Sequence, residues 1–213
     1  MNWHDMLAMT QDAPVFTASL LLTGRQKPES IRRQLDRWVA SGKLVMLRRG
    51  VYRIAYPYVR RPPHPFVVAN FMRKSSYVSL QSALAYYGMI PEYTPVTTSV
   101  TTARPEAIDT PDGRFAFRHV KGNLFFGYGE REVSPGFKAV IATPEKALLD
   151  LLYLTPGSDS PAYLETLRAE PAMPFNGSRF AAMAERIGSA KVDRAVKRLL
   201  ALWADEKKGE TTL

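Results

Sequence analysis

Apolar positions near the start of the chain fall into short helical groups. Trp3, Met6 and Leu7 mark a first helix, and Pro14 separates it from the next element. Thr17 is placed to cap a second helix over 18–22, stopping at Thr23-Gly24. A third begins at Pro28, where the missing N–H of proline costs nothing. There Ile31, Leu35, Trp38 and Val39 recur at i, i+4, i+7 and i+8 as one apolar stripe, and Gly42 suits a left-handed cap. Residues 43–47 then read as a strand, Arg48-Arg49-Gly50 as a turn and 51–54 as the returning strand. Three helices followed by a hairpin with a basic tip predict a winged helix-turn-helix.

Beyond it the pattern is mixed. Pro65 opens a short helix over 66–72, and Ser79 caps another over 80–87, closed by Gly88 and Pro91. Strand-like runs cover 96–102, 114–121, 124–133 and 137–142, separated by turn residues at 109–113, Gly122-Asn123 and Ser134-Pro135-Gly136. Thr143-Pro144 opens a helix with Ala147, Leu148, Leu151 and Leu152 on its apolar face. Helices are predicted over 161–169, 178–187 and 191–205. The last has Val192, Ala195, Val196, Leu199, Leu200 and Trp203 on one side and Lys191, Arg194, Lys197 and Arg198 on the other, a basic face read as solvated, with a surface for an anionic partner as the alternative. The stiff run Arg60-Arg61-Pro62-Pro63-His64-Pro65 marks a boundary. The expected fold is α+β: a winged helix-turn-helix over 1–61, then a mixed α/β domain over 62–213 with an antiparallel sheet and C-terminal helices.

Charge sharpens the first domain. The chain has 213 residues, 46% of them hydrophobic, with 29 Lys and Arg against 20 Asp and Glu. Residues 1–61 hold 11 of the cations and 4 of the acids, an excess of 11 − 4 = 7, while the rest holds 18 and 16. Concentrated positive charge attracts polyanions through counterion release. On the third helix Arg33 and Arg37 lie opposite the apolar stripe with Ser30 beside them and Gln26 at the entrance; Arg32 and Gln34 flank them. A packed back and an arginine front are what a recognition helix in the major groove requires. Lys27, Lys43 and the hairpin residues Arg48, Arg49 and Arg53 complete the predicted DNA-binding set.

Catalytic chemistry finds little to stand on. There is no cysteine, which excludes a thiol nucleophile and Cys-ligated zinc, and the three histidines at 4, 64 and 119 are scattered. Gly127-Tyr128-Gly129 lacks the third glycine of a dinucleotide loop and reads as a strand irregularity. Glu130 and Glu132 read as an exposed polar edge, Gly157-Ser158-Asp159 as a loop without a downstream Asp-x-Asp pair, and His119 as a structural polar residue. No cofactor, metal or enzymatic activity is expected. No apolar run reaches membrane-spanning length and the N-terminus lacks signal-peptide character, which predicts a soluble, cytoplasmic protein.

Three stretches resemble one family. The first is the basic winged helix running into Arg48-Arg49-Gly50-Val51-Tyr52. The second runs from Tyr77-Val78-Ser79-Leu80-Gln81-Ser82-Ala83-Leu84 through Tyr86-Tyr87-Gly88 to Pro91-Glu92, with Val100-Thr101-Thr102 after it. The third is Ala142-Thr143-Pro144-Glu145-Lys146-Ala147-Leu148-Leu149-Asp150-Leu151. Together they resemble the AbiEi antitoxins of type IV, abortive-infection toxin–antitoxin pairs. The resemblance implies an N-terminal domain that binds inverted repeats in its own promoter as an autorepressor. It also implies a C-terminal domain for antitoxin action, and a nucleotidyltransferase-like toxin counteracted without a stable complex. A stand-alone winged-helix transcription factor, whose C-terminal domain binds a ligand or protein partner, is the alternative.

Overall fold

The computed structural model describes residues 1–10, 13, 15–22, 27–59, 61–91 and 94–210. The N-terminal part runs α1 (Trp3–Met9), β1 (Val15–Thr17), a 3-10 turn (Ala18–Leu21), α2 (Pro28–Ala40), β2 (Leu44–Arg48) and β3 (Val51–Ile54). The strands form one antiparallel sheet in the order β1-β3-β2, with a bulge between Met46 and Arg48. This is a winged helix-turn-helix arrangement. The expected second helix is only a 3-10 turn: Thr17 ends a strand, and its hydroxyl meets that of Ser19 at 2.7 Å instead of capping the backbone. The predicted stop at Thr23-Gly24 lies outside the described residues. Helix α2 starts at Pro28 and ends before Gly42, whose φ of +69° suits glycine.

The remainder runs α3 (Pro65–Met72), β4 (Ser76–Val78), α4 (Leu80–Tyr86), β5 (Val96–Thr101), β6 (Glu106–Thr110), β7 (Gly113–His119), β8 (Tyr128–Ser134) and β9 (Phe137–Ala142). Four helices come after them: α5 (Pro144–Leu154), α6 (Pro161–Leu167), α7 (Gly177–Ile187) and α8 (Ala190–Glu210). The strands form a six-stranded sheet ordered β6-β7-β5-β4-β9-β8. It is mixed, not wholly antiparallel: β5 runs parallel to β7, and β4 to β9. Two strands, β4 and β6, have no counterpart in the hydrophobic pattern, one being three residues long and the other polar at alternate positions. The predicted strand over 124–133 begins only at Tyr128, because Gly122–Leu124 forms a 3-10 turn. No helix among the described residues is long and apolar enough to cross a membrane.

Two apolar clusters hold the chain, and they do not divide at the proline-rich run. The smaller joins Ile31, Leu35 and Trp38 of α2 to Met6, Phe16, Leu21, Leu44, Tyr52 and Ile54. Strand side chains alternate between faces, so Val15, Leu47 and Val51 point to the opposite side of the same sheet. There they join the larger cluster with α3, the six-stranded sheet and the C-terminal helices. The winged-helix sheet is therefore buried on both faces, and apolar packing crosses the boundary expected at 60–65. Cutting after residue 61 exposes Val15, Leu47 and Val51, a loss of roughly 5–9 kcal/mol at roughly 1.5–3 kcal/mol per side chain. A fragment of residues 1–61 should therefore melt well below the full chain, measured by circular dichroism.

Helix α3 is capped by a histidine. His64 Nδ1 accepts from Phe66 N–H at 3.2 Å, which requires the neutral ring, and burial pulls the imidazole below its ordinary range. A lowered folded-state value means the contribution is whole above the unfolded His range, near 6.5, and is lost as pH falls from there through the lower folded value. His64→Asn keeps an acceptor and should flatten the pH dependence of the urea midpoint between neutral and mildly acidic pH.

Candidate nucleic-acid interface

The outward side of α2 carries the predicted recognition residues. Ser30, Arg32, Arg33 and Arg37 are all exposed, as is Lys27 just before the helix, while Ile31, Leu35 and Trp38 are buried behind them. Gln26 lies outside the described residues. The face is not uniformly basic: Glu29 and Asp36 share it. Burial pushes the Tyr52 hydroxyl up, Asp36 adds to the shift and Arg32 opposes it, so this acid and base both act on the sheet beneath the helix. Arg33 and Arg37 make no ion pair among the described residues.

The hairpin corrects the expectation most. Arg49 occupies the turn with Gly50, is exposed, and makes no ion pair among the described residues. Arg48 belongs to β2, and its Nη1 donates to the Met72 carbonyl at 3.3 Å and lies 3.4 Å from Glu106 Oε2. Arg53 is held by Asp112 in a two-point contact, Nε to Oδ2 at 2.5 Å and Nη2 to Oδ1 at 2.6 Å. Both arginines point at the second domain because of strand parity: Arg53 shares its face with Val51, and the bulge turns Leu47 and Arg48 the same way. Lys43 is half-buried with its ammonium 5.2 Å from the centre of the Trp3 ring. The exposed set is therefore Lys27, Ser30, Arg32, Arg33, Arg37 and Arg49.

A second polar site lies wholly inside the C-terminal domain. Lys146 and Asp150, one turn apart on α5, form an ion pair with side chains 0% and 2% exposed. Asp150 Oδ2 also accepts from the Tyr77 hydroxyl at 3.0 Å and the Ser79 hydroxyl at 2.8 Å. Burial pushes the aspartate up and the lysine down, while their mutual attraction opposes both shifts. Gly127, at φ +73°, lies against the Lys146 stem, where a Cβ would meet it at 3.1 Å. The helix-opening signal of Thr143-Pro144 holds, with Thr143 Oγ1 accepting from Lys146 N–H at 3.3 Å.

Ser79 is thus spent on Asp150 and does not cap α4. Thr98 of β5 serves instead, its Oγ1 accepting from Ser82 N–H at 3.2 Å and donating to the Ser79 carbonyl at 2.7 Å. Sequence reasoning assigned α5 only its apolar face. The missed signal was a Lys–Asp pair at i, i+4 inside a helix otherwise almost free of polar residues. The stretches 77–92 and 142–151 meet at this cluster. Removing one partner of a buried pair strands the other charge. Lys146→Met should cost about 3–5 kcal/mol in a urea titration, and Lys146→Met/Asp150→Leu should recover part of that loss.

The remaining motifs are structural. Glu130 faces Lys138 at 3.2 Å on the outer strand, and Glu132 accepts from Gly136 N–H. His119 Nδ1 lies 3.0 Å from the Ala103 carbonyl. On α8 the expected solvated face is partly engaged: Lys191 donates to the Tyr153 and Thr155 carbonyls at 2.8 Å each, and Arg194 pairs with Asp159 at 2.8 Å. Among the described residues no group of three or more His, Asp or Glu could hold a metal ion.

The fold and its exposed arginine helix define a winged helix-turn-helix unit mounted on a mixed α/β domain. No protein-family model matches the chain, and no curated protein matches it in sequence. Among solved structures, the RV2827C protein from Mycobacterium tuberculosis aligns over 94% of this chain and 78% of that chain, at 16% identity and a TM-score of 0.49. At that distance the likeness carries no functional argument.

Proposed function

We propose that the protein binds duplex DNA through α2 and the hairpin turn, represses its own promoter, and acts as the antitoxin of a type IV pair against a nucleotidyltransferase-like toxin. The observation that carries DNA binding is the exposed Ser30, Arg33 and Arg37 face, backed by the buried stripe of Ile31, Leu35 and Trp38. Arginine presents paired donors that match guanine in the major groove, and exposed turn arginines suit phosphates. The antitoxin role rests on the resemblance to AbiEi proteins.

The alternative, a stand-alone transcription factor whose C-terminal domain takes a ligand, has one feature in its favour. An apolar recess of about 330 Å³ opens between Phe175, Leu200 and Trp203.

Arg33→Ala should cost roughly 1–3 kcal/mol on the cognate promoter duplex and much less on a scrambled duplex of equal length. Fluorescence anisotropy checks this, and equal losses on both duplexes would remove Arg33 from base readout. Co-expression with a nucleotidyltransferase-like protein encoded by an adjacent reading frame separates the two readings, since protection by wild type supports the antitoxin and no protection leaves the transcription factor.

A further inference from the structure

The hairpin turn of the winged helix stands beside a part of the second domain that is itself basic. Arg48 donates to the carbonyl of Met72, the last residue of α3, and approaches Glu106 at the start of β6. Arg73 pairs with the same Glu106 carboxylate, and its guanidinium lies over the Phe117 ring at 5.6 Å. The loops around this knot are tied down as well. Ser76 Oγ donates to the Arg73 carbonyl at 2.6 Å, Thr101 Oγ1 to the Ser75 carbonyl at 2.7 Å, and Ala103 N–H to Thr101 Oγ1 at 3.1 Å. Lys74 sits between Arg73 and Ser75, and Arg104 between Ala103 and Glu106; both are exposed, and neither makes an ion pair among the described residues.

Arg49, Lys74 and Arg104 each stand one or two residues from a side chain of this knot. At its centre Arg48 and Arg73 share one carboxylate, Glu106, while Arg49, Lys74 and Arg104 make no ion pair among the described residues. Three exposed cations beside two arginines that share one acid leave a positive excess, and the hydrogen bonds of the knot and its loops fix the backbone that carries them. A fixed concentration of positive charge calls for a polyanion running past it. Arg49 already belongs to the surface read as facing DNA, and a duplex carries one negative charge per roughly 1.7 Å of axis. We infer that Lys74 and Arg104 of the second domain extend the DNA interface beyond the winged helix, gripping the phosphate backbone that flanks the segment contacted by Arg49. This rests on the proposal that the winged helix binds DNA. It makes the second domain a clamp on flanking phosphates, which adds affinity without sequence preference.

The test uses full-length protein with three labelled probes: a duplex of the DNA upstream of its own gene, a scrambled duplex of equal length, and an RNA hairpin. Lys74→Ala/Arg104→Ala should weaken both DNA duplexes by the same factor, about tenfold at low salt, and make the log affinity against log salt less steep by about 1.8, near 0.9 for each lost phosphate contact. Lys74→Glu/Arg104→Glu should deepen the loss. Lys197→Ala, an exposed lysine on α8, should leave both affinity and slope unchanged. Equal melting temperatures confirm that the variants fold, as expected for exposed side chains. If wild type binds DNA and Lys74→Ala/Arg104→Ala matches it in affinity and slope, this inference falls while the DNA-binding reading stands. If wild type binds neither duplex, both fall. If the loss appears on RNA alone, the patch is an RNA surface and the inference is overturned.

Discussion

Burial of the three-stranded β1-β3-β2 sheet on both faces governs the rest of the molecule. Tyr52 and Ile54 hold α2, while Val51, their neighbour in the same strand, points into the core built on α3 and the six-stranded sheet. An ordinary hairpin wing would leave that second face to water. Here each apolar residue on it contributes roughly 1.5–3 kcal/mol to joining the two halves. Helix α2 is thus carried on a platform that packs against the larger domain.

The ion pairs across this joint refine its geometry more than they stabilise it. Arg48 and Glu106 are about one-third exposed, at 32% and 36%, and a pair that wet contributes about 0–1 kcal/mol. Arg53 and Asp112 are drier, at 17% and 19%, and their two-point contact is directional. Together they register β2 and β3 against the β6–β7 hairpin. The same contacts engage Arg48 and Arg53 with carboxylates of the larger domain, while the turn residue Arg49 and the α2 arginines stay exposed without ion pairs among the described residues. Positive charge counted along the sequence overstates what the surface presents.

Inside the larger domain the organising feature is the Lys146–Asp150 pair with the Tyr77 and Ser79 hydroxyls. Strand β4, the corner into α4, and α5 converge on it, and Leu80 adopts φ +59° at that corner. A left-handed leucine costs energy. It is held there by the hydrogen bonds of Ser79 and Thr98 on either side. Nearby, Glu145 is buried with one oxygen accepting from Arg179 and the Asn176 N–H, while the other has no partner among the described residues. The stretches 77–91 and 142–151 thus meet at a joint within the fold.

Features that depend on neighbours in the chain were legible beforehand. The Ile31, Leu35, Trp38 stripe, the turn at Gly50 and the Thr143-Pro144 start of α5 all derive from helical period, positive φ and capping. These are local forces, and they act whatever the remainder does. The partners of Arg48 and Arg53 stand 58 and 59 residues away, and that of Asp150 at Tyr77 stands 73 away. No periodicity encodes such pairings. Strands as short as β1 and β4 take their existence from the neighbours they pair with, and a single bulge at Met46–Arg48 decides which face an arginine joins. Which cations remain available to a ligand is therefore settled by long-range packing, because a charge is removed from the surface only when folding brings a carboxylate or carbonyl to meet it.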